Sequence, residues 1–430
     1  MKTNTLTPSL PASISTLAPR IHGLDLARFL AVMGMVYSHL GEELDYEGFS
    51  RIFMESRNGL PSALFAVLAG ISMSIISASA VRAGGATLAH NRHRLIIRGL
   101  ILMVLGFILG EAQVSIAVVL LPLGLAMVLL SWAPRARNST LISLGLTLLL
   151  VGPALQVLLP GAFLTSLMGG SYPLLAWLTY VTAGILLHRL LITPQVSTIA
   201  LSCLLVVGAL LTMLGLQARY LLGFIPLDPD SSVQYYTEEV IFESRFLVSE
   251  PAFVFLSPEG HSGGLMEQIT SLFASLAALA LCLLLCRFTW LNRLLYPLRA
   301  AGSMSLTVYV LHVLTTAWYF HGLGFTLLNP AADFDDYLQG KAPENDLLVI
   351  LTVVVAATVA ALWKLKFRRG PLEEWVARVI DTATRQDLPA RELPDPSPAT
   401  TPVGDLKPPA ENPAEQLDSH GRELQPDIRK

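Results

Sequence analysis

Apolar residues in this chain run in blocks of about twenty, the length that crosses a bilayer as a helix. Roughly ten such runs can be counted, at about 24–41, 59–80, 95–110, 113–131, 139–159, 171–191, 196–216, 267–287, 300–321 and 346–365. The third is short and stops at Glu111. The pattern predicts an all-α fold, a polytopic transmembrane helix bundle of about 10 spans.

Composition agrees, with 53% hydrophobic and 14% charged residues and a mean hydropathy of +0.57, far from the usual soluble domain. Lys and Arg at span ends set the expected orientation. With an even number of spans, one side collects fifteen basic residues, among them Arg20, Arg92, Arg299 and Arg368, and the other only Arg51, Arg57, Arg219, Arg245 and Lys341. Both termini are therefore expected in the cytoplasm and the protein in the cell (inner) membrane. The net charge of −3 averages a basic inner face with acidic outer loops and suggests no nucleic-acid partner. The first twenty residues lack a signal-peptide core, so the first span is read as an uncleaved anchor.

The chain divides into a cytoplasmic segment (1–22), a membrane domain (23–367) with a long aromatic outer loop (217–266), a juxtamembrane amphipathic helix (368–386) and a Pro-rich tail (387–430). Trp375, Val376 and Val379 can lie against the bilayer surface. The tail has too few large apolar residues to fold. Cys203, Cys282 and Cys286 all fall in apolar runs, without disulfide or metal-ligand spacing, and read as packing residues. No metal is expected.

Candidate chemistry begins in the first span. Eleven helical steps from Arg28 to His39 return to within about 20° and advance roughly 16 Å, so the two side chains share a face. Asp25, three residues before Arg28, can pair with it on the same stripe. A charged line is costly in lipid and must face protein or a polar cavity. The same spacing also fits an Asp25–Arg28 pair snorkelling to the inner surface, with His39 merely ending the helix. In MESRNGLPSALFAVLAG, Glu55 and Arg57 stand just outside the second span, and the small residues that follow let backbones approach. In SPEGHSGGLMEQI, His261 and Ser262 precede the eighth span at the membrane level of His39. One His could act as base and the other as its orienting partner. His312, inside AAGSMSLTVYVLHVL, needs a polar partner, for which Tyr309, Ser305 or Arg28 are available. For each, simple packing is the competing explanation.

RIHGLDLARFLAVMGMVYSHL, SALFAVLAGISMSI, HSGG, AAGSMSLTVYVLHVL and GPLEEW, in that order over residues from about 20 to 376, resemble the YeiB-like, heparan-α-glucosaminide N-acetyltransferase-like bacterial membrane proteins. In the wider transmembrane acyltransferase superfamily an Arg, ten residues and a His on the first span are a recurrent catalytic pair, which Arg28 and His39 look like. The resemblance implies acetyl or another acyl group taken from cytoplasmic acyl-CoA as co-substrate. It further implies a sugar or lipid acceptor, an envelope glycan or glycolipid, on the far side of the membrane. The lysosomal glucosaminide enzyme carries its active His in the loop after the first span, where this chain has none.

The leading expectation is an acyltransferase in which His39 deprotonates the acceptor and His261 or Glu55 assists. Arg28 with Asp25, Arg57, Arg98 and His312 would line the substrate and CoA path, CoA being held by loose Arg and His residues such as Arg92, His93, Arg94 and Arg98. No Gly-rich phosphate loop is present. The rival expectation is a transporter of a lipid, sugar or small metabolite, although Pro122 and Pro153 interrupt their runs without the symmetry of inverted repeats. A third is a catalytically silent scaffold of envelope enzymes.

Overall fold

A computed structural model describes residues 20–41, 48–111, 117–159, 172–192, 196–221, 250–321 and 346–385. These residues form α1 (His22–Leu40), α2 (Gly48–Arg57), α3 (Leu60–Ala83), α4 (Gly85–Gly110), α5 (Leu120–Leu129), α6 (Asn138–Leu158) and α7 (Leu174–Leu191). They continue with α8 (Thr198–Leu221), α9 (Glu250–Leu256), α10 (Leu265–Arg287), α11 (Thr289–Leu294), α12 (Tyr296–Gly302), α13 (Ser305–His321), α14 (Asp346–Lys366) and α15 (Pro371–Ala383). Among the described residues there is no strand. The chain divides into residues 1–388 and 389–430, and everything described belongs to the first unit. The expected tail, and the outer loop between 222 and 249, lie outside the described residues.

Each of the ten apolar runs falls on a helix, but among the described residues 7 stretches are long and apolar enough to cross a membrane alone, those of α3, α4, α6, α7, α8, α10 and α14. An eighth arises if α12 and α13, bent by 81°, are taken as one broken span. The remaining two of the expected ten fall short of that length and apolarity for distinct reasons. The α5 helix has only 10 residues. The 19 residues of α1 carry Asp25, Arg28 and His39, which dilute its apolarity. The proline expectation also changes: α6 runs through Pro153, and Pro122 sits in the first turn of α5, where a missing N–H costs nothing.

The polar α1 is tolerated because it is enclosed. It packs against α3, α10, α12, α13 and α14, and Ala27, Ala31, Val32 and Val36 are fully or almost fully buried. A helix carrying charge is thereby held off lipid, as the cost of intramembrane charge requires. The outward faces belong to helices such as α4 and α14, whose Val104, Phe107, Ile108, Leu347 and Ile350 are all exposed.

Close backbone contacts hold the bundle together. A Cβ at Gly70 of α3 would lie 2.1 Å from the Val181 carbonyl oxygen of α7, and one at Gly184 of α7 would lie 2.0 Å from the Val67 carbonyl oxygen of α3. Small residues at such crossings let dispersion forces replace the absent hydrophobic drive. At the α12–α13 bend, a Cβ at Gly302 would sit 1.8 Å from the Asp25 carbonyl oxygen, so α12 rests on the first turns of α1. The freed N-terminus of α13 is capped from a distance: Glu373 of α15 accepts from the Leu306 and Thr307 amides at 2.9 and 3.1 Å and from the Thr307 hydroxyl at 2.5 Å. The amphipathic α15 turns Val376 and Ile380 into the protein, while Trp375 is exposed.

Candidate functional site

The α1 stripe is built as its spacing predicts, and each end meets a different environment. At one end Asp25 accepts from Arg28 Nη1 at 3.0 Å and from Arg20 Nε at 2.6 Å. Arg28 spends its other nitrogen on Ser72 of α3 at 2.9 Å, and the Ser72 hydroxyl donates onward to the Leu68 carbonyl at 2.7 Å. Asp25 is 4% exposed, and its charge is met by Arg28 from within the bundle and by the exposed Arg20 from outside it. Arg28 and Arg98 of α4 line the same narrow cavity of about 90 Å³, walled by Phe65, Leu68 and Leu123. Two cations sharing an apolar cavity favour an anionic or strongly dipolar guest, because little water is present to screen them.

At the other end His39 meets His312 of α13. Their Nδ1 and Nε2 atoms lie 3.0 Å apart, with rings tilted by only 4° and centroids 5.4 Å apart. Those values describe a hydrogen bond in the ring plane rather than a stack. His312 Nδ1 in turn lies 3.3 Å from the Thr316 hydroxyl, one helical turn away. One imidazole N–H therefore lies between the two rings, with the next ring nitrogen tied to a hydroxyl. His312 is 2% exposed and His39 partly exposed, so the outer ring of the pair is the accessible one. His312 also borders an apolar cavity of about 460 Å³ with Leu40, Thr315, Trp318 and Trp363.

The loop before α10 closes on the same end. Ser38, beside His39, donates to the Arg57 carbonyl at 2.6 Å. Two residues beyond Arg57, a Cβ on Gly59 would lie 3.3 Å from the His261 amide nitrogen. His261 has φ 69, a left-handed conformation strained for a residue with a Cβ. Its ring meets Tyr172 edge-on at 5.1 Å. Burial first, and the Arg219 guanidinium second, hold the His261 imidazole down at about 4, so it is neutral near neutrality. Burial raises the Tyr172 phenol, which donates to the Ala117 carbonyl at 3.0 Å.

Glu55, Arg57 and Ser262 are taken up by neighbours. Glu55 pairs with Arg219 of α8, and Arg219 Nε donates to the Pro258 carbonyl at 2.8 Å, tying the pair to the His261 loop. Arg57 donates to the Gly41 carbonyl at 3.0 Å and lies over the Tyr37 ring at 5.8 Å. The Ser262 hydroxyl donates to the Glu259 carbonyl at 2.7 Å and accepts from the Gly264 amide at 3.1 Å, a turn-forming role.

Three side chains beneath this loop escape sequence reasoning. Glu267, 4% exposed, accepts from the Tyr180 phenol at 3.1 Å and from the Gly263 amide at 2.9 Å. The available signal was a single carboxylate in the first turn of an apolar run. Next to it the Gln268 Oε1 and Ser271 Oγ atoms are buried without partners. Among the described residues no group of three or more His, Cys, Asp or Glu side chains is arranged to hold a metal ion.

Residues 20–218 match the family described as Heparan-alpha-glucosaminide N-acetyltransferase, catalytic. Residues 253–382 match the family described as Protein of unknown function (DUF418). No curated protein matches the chain. The first match spans α1 and most of the bundle through α8, the second the His261 loop, α13 and α15. Together they bear out the resemblance to the YeiB-like, heparan-α-glucosaminide N-acetyltransferase-like membrane proteins, and the first points to a membrane acetyltransferase.

Proposed function

We propose that this chain, matched over 20–218 by an acetyltransferase catalytic family, transfers an acyl group, in the first instance acetyl, from acyl-CoA to a sugar or lipid hydroxyl or amine. The observation that carries the reading is the 3.0 Å hydrogen bond between His39 and His312, on a helix whose opposite end sets Arg28 beside Arg98. In this reading the Arg28 end faces the cytoplasm, as the positive-inside bias expects, and the His39 end faces the acceptor.

The hydrogen bonds fix the tautomers. With His312 Nδ1–H donating to Thr316, His312 Nε2 accepts from His39 Nδ1–H, and His39 Nε2 keeps its lone pair. That nitrogen takes the acceptor's O–H or N–H proton as the acceptor oxygen or nitrogen attacks the thioester carbonyl. A C–O or C–N bond forms, the C–S bond breaks, and the proton on His39 passes to the departing thiolate. His312 is then a positioning residue, fixing the tautomer of His39 in the way a buried partner orients a general base. Arg28 and Arg98 offer positive charge to the donor's phosphates or to the carbonyl oxygen as it gains charge. His261 and Tyr172 close the site from the loop side, and Glu55 acts through Arg219 on that loop.

The test uses the purified chain in proteoliposomes with radiolabelled acetyl-CoA outside and envelope glycolipid inside. Label is expected in the acceptor fraction, falling about 10²–10⁴-fold in His39→Ala with unchanged thermal unfolding, the range of a lost general base. Arg28→Ala and Arg98→Ala are expected to raise KM for acetyl-CoA. Undiminished transfer by folded His39→Ala overturns the assignment of the base, and no transfer or acetyl-CoA binding by the folded wild type overturns the activity.

A further inference from the structure

A second cavity, of about 400 Å³, opens where α1, α12 and the end of α14 meet, and shares no lining residue with the Arg28–Arg98 cavity. Its walls include Arg20, Arg299, Lys364, Lys366 and Arg368, against one carboxylate, Asp25. Asp25 is already committed to Arg20 and Arg28. Four of the five cations thus lack a carboxylate of the cavity wall.

Positive-inside bias explains exposed Lys and Arg at span ends. It does not explain Arg299, which is 8% exposed. Its Nη2 donates to the Asn292 carbonyl at 2.6 Å and its guanidinium lies over Tyr296 at 5.8 Å. Its Nε is buried with no hydrogen-bond partner. An unpaired buried donor on a charged group is expensive, and with the wall's one carboxylate committed elsewhere the Arg299 charge stands uncompensated beside the cavity. Packing makes the placement deliberate, since Gly302 on the same short helix abuts the Asp25 backbone and brings Arg299 to α1.

We propose that this cavity binds a phosphate group, presented by an anionic lipid headgroup or by a soluble phosphate. Arginine's planar fork and lysine point charges are the side chains that suit phosphate oxygens, and the site lies at helix ends, where a headgroup or a soluble anion can both arrive. Binding here does not depend on the acyl-transfer reading.

The test is thermal unfolding of delipidated, detergent-purified full chain titrated with phosphatidylglycerol, with phosphatidylcholine and with pyrophosphate, and lipid counting by native mass spectrometry. The variants are Lys366→Gln/Arg368→Gln, at the exposed rim, and Arg299→Gln. An equal charge change elsewhere, Arg137→Gln/Arg378→Gln, is the control. Stabilisation by phosphatidylglycerol alone identifies the lipid source. Stabilisation by pyrophosphate that competes with the lipid identifies the soluble one. In either case the rim variant is expected to bind at least about tenfold more weakly, the loss of one charge-assisted hydrogen bond. No stabilisation by either probe, or equal weakening in the control variant, overturns the proposal.

Discussion

Arg219→Met should destabilise the chain more than Arg219→Met combined with Glu55→Met. The side chains of Arg219 and Glu55 are 4% and 10% exposed and pair with each other. Removing the cation alone leaves a carboxylate in an apolar setting, which costs about 3–5 kcal/mol. The Pro258 carbonyl, 2.8 Å from Nε, loses its donor as well. At about 2.1 cal/mol/K per residue, a unit of 388 residues unfolds with an entropy of about 0.8 kcal/mol/K, so a loss of about 4 kcal/mol lowers Tm by about 5 °C. In the double variant no buried charge remains and Met roughly fills the space, so Tm should return to within about 2 °C of wild type. Differential scanning fluorimetry in detergent, together with proteolysis in the Pro258–Gly264 loop, reads both effects. Additive losses in the double variant would refute the view that this buried pair, rather than two separate contacts, anchors the His261 loop.

Gly184→Ala should lower stability by about 1–3 kcal/mol, because its Cβ meets the Val67 carbonyl oxygen at 2.0 Å. Gly145→Ala, with only Thr182 at 3.8 Å, should be silent in the same thermal scan. Stability should also fall on acidification through His261. The folded imidazole is held at about 4 against about 6.5 unfolded, so its stabilisation is complete above pH about 6.5 and is lost between there and about 4. Some 3 kcal/mol is at stake over that window, and His261→Gln should flatten this part of the stability–pH curve measured by chemical denaturation. An unchanged curve would place His261 in water.

Local patterns were legible in the sequence and distant pairings were not. The Asp25–Arg28 contact follows from a three-residue step on a helix, and the spacing also placed His39 on their stripe. That His312 needs a polar partner was readable too, but its partner is 273 residues away, beyond any periodicity. Tyr309, a partner available on the same helix, instead accepts from the Val119 amide at 3.1 Å. Glu55 looked like an available carboxylate because its partner, Arg219, lies 164 residues on. Run lengths located the helices, while the enclosure of α1 and the bend at Gly302 depend on neighbours. The juxtamembrane helix shows the same limit, since its amphipathic pattern was evident but the apolar face, read for the bilayer, packs Val376 and Ile380 on the protein.

The central claim, that His39 and His312 act as one unit, is tested most directly by a double-mutant cycle on kcat/KM for acetyl transfer in proteoliposomes, using His39→Ala, His312→Phe and both together. The account predicts a large loss for His39→Ala, a smaller one for His312→Phe with a shifted pH–rate profile, and a double variant no slower than His39→Ala alone. Losses that multiply, or a His312→Phe variant with wild-type rate and pH profile, would contradict it.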